Sequence, residues 1–461
     1  MTGSAASCRP ALDHVDRRRD DYLDVLFELV RRPSVSGHAA EVNACAALLE
    51  EILLDAGIPA RILATDGAPV VFGELTGRSP FTVLFYGHYD VQPPEPLEAW
   101  DSPPFEPTIR GGRVYARGTG DNKGQLLAHV LAVRSFLETT GAPPVHVKFV
   151  LDGEEESGSP HLHDFVERNR ELLAADLVYT ADGGYHDSGL PLVCFGVRGI
   201  VTVELEARGA ARDLHSGNRG NLVPNPAWRL IDLLRTMRAP DGRVTIEGFY
   251  DGVREPTAFE LGLLARAPFD REEFAQSVGL PTTDIQDGTD YGRRLMFEPT
   301  FNIAGFSSGH TGEGLRTIIP SSAAVRLDAR LVADQDPDRV LELLEAHARA
   351  HAPDVTVRSL GSMRPSKTSP ELPVARRIVD AVAAARGVEP VVVPCLGGSL
   401  PDYVWTHLLG APSVVVPYAN PDESNHAPNE NLEVEAFFAG IKTSVLVLEA
   451  LRRHAEGAIA A

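Results

Sequence analysis

The chain lacks the marks of several protein classes. It has four cysteines, Cys8, Cys45, Cys194 and Cys395, in 461 residues. No two have metal-knuckle spacing, and four in so long a chain do not make a disulfide framework. A reducing compartment is expected. No run of roughly 18 uncharged apolar residues occurs, so no membrane span is predicted. The opening MTGSAASCRPALDHVDRRRDD has no apolar core of a signal peptide. A cytoplasmic location follows as an expectation. Lysine is scarce, limited to Lys123, Lys148, Lys367 and Lys442. We attach no function to that bias. Excess positive charge is missing too. A formal net charge of −21 repels nucleic acid and anionic membranes, so neither is expected as a partner.

What is present is a globular composition, 43% hydrophobic and 23% charged, of a soluble kind. The length exceeds one ordinary core and predicts about two domains. Tyr22, Leu26, Leu29 and Val30 share a helical face, and Val42, Cys45, Leu49, Ile52 and Leu53 repeat the pattern. β-rich runs follow at residues 70–75, 82–86, 145–151 and 177–180, with helical stretches at 124–137 and 161–173. That alternation predicts a mostly parallel sheet with helices on both faces. The texture changes near Gly199. Residues 200–206 alternate as a half-exposed strand does, and 228–237 and 337–351 read as helices. Residues 239–297 form a long segment rich in Gly, Pro and Asp. Residues 301–304 and 323–331 read as strands of a one-sided sheet. After Pro370 the first texture returns. The predicted fold is therefore an α/β, mostly parallel-sheet domain (1–198 and 365–461) interrupted by a smaller α+β domain (199–364).

In open α/β sheets, ligands bind beyond the C-terminal ends of the strands. Here FTVLFY runs into Gly87-His88-Tyr89-Asp90, VHVKFVL into Asp152-Gly153-Glu154-Glu155-Glu156, and LVYT into Ala181-Asp182. Asp121 precedes a predicted helix, and His426 lies in a downstream turn. A single Asp or Glu after a strand is usually a solvated turn residue, and a single His is usually structural. The joint case differs. Two His and three carboxylates converging on one crevice are costly without a cation. Mixed His and carboxylate ligation suits zinc, with manganese or cobalt as substitutes.

GHYDVQPP, YARGTGDNKG, DGEEESGS, ADGG, DLHSG, GGSLP and NHAPNE occur in that order. From about residue 14 to the C-terminal helix, the chain resembles the dinuclear-zinc metallopeptidase family of aminoacylase, acetylornithine deacetylase, carboxypeptidase G and the carnosine dipeptidases. Trp100 and PPFEPTIRGGRVYARG look most like its cytosolic dipeptidase branch. The resemblance implies two zinc ions per chain. Asp121 would bridge them, His88 and Asp182 would complete one site, and Glu155 and His426 the other. Glu154 would be the general base. Asp90 would hold the His88 ring, since a ligating His usually donates its other N–H to such an acceptor. The Asp121–Asn122 peptide matches a position that is cis in the family.

The resemblance also implies a homodimer through the inserted lid domain, with His215 reaching the partner's active site. The alternative is a His capping a Gly-rich turn. Arg330 matches a binder of the substrate carboxylate, against an exposed strand Arg. Thr317 and Ser399 match further polar contacts, or plain turn chemistry. An Asp at position 182 goes with dipeptidases and aminopeptidases in the family. A small peptide is thus the expected substrate. The alternatives are a deacylase of N-acyl or N-carbamoyl amino acids and a non-catalytic binding protein. One departure is visible: residues 295–298 read Leu-Met-Phe-Glu, where relatives often carry a Trp and a basic residue.

Overall fold

A computed structural model describes residues 4–459. Twelve strands position the site: β1 (Ala60–Leu63), β2 (Val70–Leu75), β3 (Ser79–His88), β4 (Val145–Asp152), β5 (Leu177–Thr180), β6 (Leu192–Cys194), β7 (Gly199–Arg208), β8 (Asn302–Ser308), β9 (Ser322–Leu331), β10 (Thr356–Met363), β11 (Val391–Val393) and β12 (Ser413–Val415). The large sheet runs β1-β2-β4-β3-β5-β12-β6-β11. Strands β4, β3, β5 and β12 pair in parallel, as do β6 and β11. Pairings β1/β2, β2/β4 and β12/β6 are antiparallel. The sheet is therefore mixed, with its parallel block at the centre.

Alternation along the central strands divides the core in two. Val83 and Phe85 of β3, with Val147, Phe149 and Leu151 of β4, pack against the helices Lys123–Thr140 and Val434–Ile459. Leu84 and Tyr86, with Val150, face the opposite layer around Phe165 and Trp405. Both faces are buried, so these strands read as nearly continuous apolar runs. Helix Lys123–Thr140 is buried almost all round and ends on Gly141, whose φ of 79° suits glycine. No helix among the described residues is long and apolar enough to cross a membrane.

The second sheet runs β8-β9-β7-β10, wholly antiparallel. Val201, Val203 and Leu205 of β7 and Val325, Leu327 and Ala329 of β9 turn inward onto helices Pro226–Met237 and Pro337–His351. On the other face Glu204 pairs with Arg326 and Arg358. The helices start on Asn225 and Asp336, each a side-chain N-cap followed by Pro. The two sheets meet where Gly196–Val197 pairs with Ser366–Lys367.

Residues 239–297 are not simply a long loop. They form helices Ala258–Leu264, Arg271–Ser277 and Gly288–Phe297, each started by a side-chain cap: Thr257, Asp270 and Asp287. Thr257 and Glu260 make a reciprocal capping box. Leu264, Met296 and Phe297 pack on Leu192, Val393 and Cys395 at the edge of the large sheet. The helical part of this stretch is thus anchored to the first sheet, while Val244, Ile246 and Phe249 before it pack into the core of the second.

Candidate metal centre

Strands β4, β3 and β5 are parallel neighbours, and their C-terminal ends lie in register. His88 pairs with Asp152, and Tyr86 with Thr180. The residues that follow them therefore open into one crevice. His88, Asp121 and Asp182 form one buried group able to hold a metal ion. Asp121, Glu156 and His426 form a second. Asp121 belongs to both. Its Oδ1 lies 2.9 Å from His88 Nε2, and its Oδ2 lies 3.0 Å from His426 Nε2. Asp182 Oδ2 stands 3.8 Å from His88 Nε2, and Glu156 Oε2 stands 3.2 Å from His426 Nε2. The Asp121–Asn122 peptide is cis.

Four of the five expected ligands thus come together, and the fifth position differs by one residue. Glu156, not Glu155, joins Asp121 and His426. Glu154, expected as the general base, points elsewhere. Its Oε2 accepts from His161 Nδ1 at 2.8 Å, and its Oε1 fills the space a side chain at Gly67 would take. Glu155 feels the charges of both groups and accepts no side-chain hydrogen bond among the described residues. Part of the physical reason is local. After β4 the chain enters a 3₁₀ turn at Glu155–Ser157 with Glu154 as its cap residue. Three consecutive Glu therefore fan out in three directions.

Asp90 faces both the His88 ring and the turn after β4. Its carboxylate accepts the backbone N–H groups of Glu155 and Glu156, each at 3.1 Å. The His88 ring is met by the Asp90 carbonyl, 3.1 Å from Nδ1, while the carboxylate is 3.5 Å away. The same carboxylate therefore also fixes the Glu155–Glu156 turn.

The electrostatics call for positive charge. Burial opposes protonation of His88, yet the Asp121 and Asp90 carboxylates beside its ring hold its pKa well above the ordinary value. The hydrogen bonds of His426 to Asp121 and Glu156 push it up to about 10. Burial, then the Asp121 charge, pushes Asp182 up to about 7. Burial also raises Glu155 well above the carboxylate range. Asp182, Asp121 and Glu156 add to that rise, and His88 opposes it. Glu156 Oε1 is buried with no hydrogen-bond partner. Carboxylates and imidazoles shifted in this direction mark a set that favours positive charge among its members. Imidazole and carboxylate donors of this kind suit divalent ions, whose binding releases protons.

Sequence reasoning passed over several neighbours of the centre. Asn122 Nδ2 donates to Ala181 O at 2.7 Å, tying the Asp121 loop to the end of β5. Gln125 Nε2 donates to Gly120 O and Gly183 O. Glu423 is buried against Gly120, and burial with the nearby Asp121 pushes it up to about 9. Asn122 and Gln125 adjoin Asp121 at the start of a helix, which was the available signal. Glu423 had none.

The other expected site residues divide into two places. Arg330 Nη1 donates to Ser399 Oγ at 2.8 Å, and both residues are half-buried. Arg198 steadies that turn. Its backbone N–H reaches Gly398 O, and its guanidinium reaches Leu295 O and Glu298 O. The departing segment 295–298 thus borders the Ser399 turn, beside a cavity of about 210 Å³ lined by Tyr185, Tyr291, Leu295, Met296 and Gly397. His215 and Thr317 lie together elsewhere on the insertion, both exposed. Their strands pair at His215 and Ile318, and His215 Nδ1 accepts from Gly217 N. Within one chain neither joins the metal-holding groups.

Known proteins resemble this chain over most of its length. Residues 84–450 match the model of peptidase family M20/M25/M40. The cysteinylglycine-S-conjugate dipeptidase of Corynebacterium striatum is 30% identical, over 84% of each chain. The Cys-Gly metallodipeptidase dug1 of Schizosaccharomyces pombe is 27% identical, over 93% of this chain and 95% of that one. Among solved structures, the M20 family metallo-carboxypeptidase Sso-CP2 of Sulfolobus solfataricus superposes with a TM-score of 0.89. It is 35% identical, and the match covers 94% of this chain and 99% of that one.

Proposed function

Because the chain belongs to peptidase family M20/M25/M40, we propose that it hydrolyses the amide bond of dipeptides or similar small peptides with two divalent cations, zinc by preference. The observation that carries this chemistry is Asp121, whose two oxygens each face a different histidine within 3.0 Å. His88, Asp121 and Asp182 would hold one cation, and Asp121, Glu156 and His426 the other. When bound, such ions polarise a carbonyl and make a water acidic near neutral pH. Glu155 is the general base. Its carboxylate stands among the charges of both groups and accepts no side-chain hydrogen bond among the described residues, which leaves it free to take and return a proton. It takes the proton of the attacking water on a carboxylate oxygen and then delivers it to the leaving amine nitrogen. Asp90 holds the backbone of Glu155 in place. Arg330 binds the substrate carboxylate with its guanidinium fork, and Ser399 orients that fork.

The dipeptide reading draws support from the dipeptidase names of two relatives and from Asp at position 182. A second reading has one observation in its favour: the solved structure at 35% identity is named a metallo-carboxypeptidase. A panel separates them. Free dipeptides should turn over, while N-acetyl amino acids, N-blocked dipeptides and dipeptide amides should be poor substrates. Turnover of blocked substrates alone would make the enzyme a carboxypeptidase or deacylase and end the dipeptidase reading.

The protein is also proposed to be cytoplasmic and a homodimer joined through the insertion (199–364), with residues 1–198 and 365–461 as the catalytic unit. His215, exposed and bonded only within its own turn, would then enter the partner's crevice to stabilise the oxyanion, with Thr317 beside it. Mixing inactive His215→Ala subunits with inactive Glu155→Gln subunits should restore activity. One site of each mixed dimer regains both groups. Mixed dimers that stay inactive would exclude the trans role.

A further inference from the structure

Arg117 and Glu430 take no part in the reaction above, yet they join three of the loops that form the centre. They make an ion pair of 2.8 Å with side-chain exposures of 2% and 0%. Glu430 Oε2 accepts Arg117 Nη1 and the Gly118 N–H at 2.9 Å. Glu430 Oε1 accepts the N–H of Gly120 at 2.9 Å and of Asp121 at 3.1 Å. One carboxylate thus satisfies three backbone donors of the loop that ends on the shared ligand. Arg117 Nη2 reaches Pro93 O at 3.2 Å, on the loop that follows His88. Glu430 itself lies four residues after His426.

The two metal-holding groups depend on this pair unequally. His88 and Asp182 stand at the ends of adjacent, hydrogen-bonded strands. Asp121 is held toward them by Asn122, whose side chain donates to Ala181 O. His426 has no such support. It lies in a turn at φ 55°, and its side chain is 53% exposed. Its loop meets the Asp121 loop through Glu430. We propose that Glu430, with Arg117, is a positioning residue that sets the spacing of His426 from Asp121 and so fixes the affinity for the cation held by Asp121, Glu156 and His426. The His88/Asp182 cation does not depend on it.

This inference rests on the two-cation reading but not on the choice of substrate. The test uses Glu430→Asp, which keeps the charge opposite Arg117 but is one methylene too short to reach every donor. Full-length metal-free protein is titrated with zinc alone by calorimetry, and its thermal midpoint is recorded. Wild type should bind two ions. Glu430→Asp should keep one affinity and lose about 10–100-fold in the other, the range for loss of an outer partner. The weakened site should be the one missing in His426→Ala, and the midpoint of the metal-free variant should stay close to wild type. If Glu430→Asp does not fold, Arg117→Lys gives the same readout. Its ammonium keeps the charge but not the fork that spans Glu430 and Pro93. Equal loss at both sites, or at neither, would overturn the inference. Wild type binding fewer than two ions would instead overturn the reading beneath it.

Discussion

Glu155→Gln is expected to lower kcat by about 10²–10⁴-fold, the range of a general base, while metal content per chain stays at the wild-type value. Glu154→Gln, one residue away, should leave kcat within a few-fold of wild type. The contrast follows from where the three acids of the Glu154–Glu156 run point. Glu154 is held by His161 outside the centre. Glu156 is grouped with Asp121 and His426, so Glu156→Gln should lose metal along with activity. Of the three, only Glu155 neither belongs to a metal-holding group nor accepts a side-chain hydrogen bond among the described residues. Gln at this position keeps the shape and the amide can still orient a water, but it cannot accept a proton. Steady-state kinetics with elemental analysis on the three variants assigns the roles. If Glu154→Gln were the inactive, metal-loaded variant, the assignment made here would be wrong by one residue.

That one-residue shift marks where the sequence stopped being legible. Strand ends could be placed from apolar runs, and a strand end is enough to place His88 and Asp182. Their neighbours are fixed by the hydrogen-bond ladder of a parallel sheet. A run of three Glu in a tight turn offers no such constraint. Which acid faces inward is decided by the Asp90 carboxylate capping two N–H groups from 65 and 66 residues away. Long-range contacts of that kind leave no trace in local pattern. The helices within 239–297 failed for another reason. Their apolar stretches are short, and their clearest signals were caps, Thr257, Asp270 and Asp287, which look like turn residues when no strong periodicity follows. The antiparallel edge of the large sheet was hidden too. Strand β1 is only four residues long and none of its residues is fully buried, so no strong pattern announced a hairpin with β2.

Asp121→Ala is expected to have the broadest effect of any single change. In the proposed centre each other ligand belongs to one group, but Asp121 belongs to both, and its loss leaves His88 and Asp182 on one side and Glu156 and His426 on the other. Each pair would then be short of a donor. The groups would also lose the one carboxylate they share, whose charge would offset the repulsion of two cations held there. Both should dissociate on dialysis, and the fall in activity should exceed the about 10–100-fold cost of losing an outer partner. Asp121→Asn is the sharper version. It keeps the size of the side chain and one acceptor oxygen but removes the negative charge that faces both His88 and His426. If it binds one ion and not two, bridging by a charged carboxylate is the feature that matters. If it binds two and turns over normally, Asp121 is an ordinary neighbour of a centre built from the other residues. The metal-free wild type should show the same inactivity as Asp121→Ala and recover when zinc, manganese or cobalt is added back, while the variant should not. That difference separates loss of the ion from loss of the means to hold it.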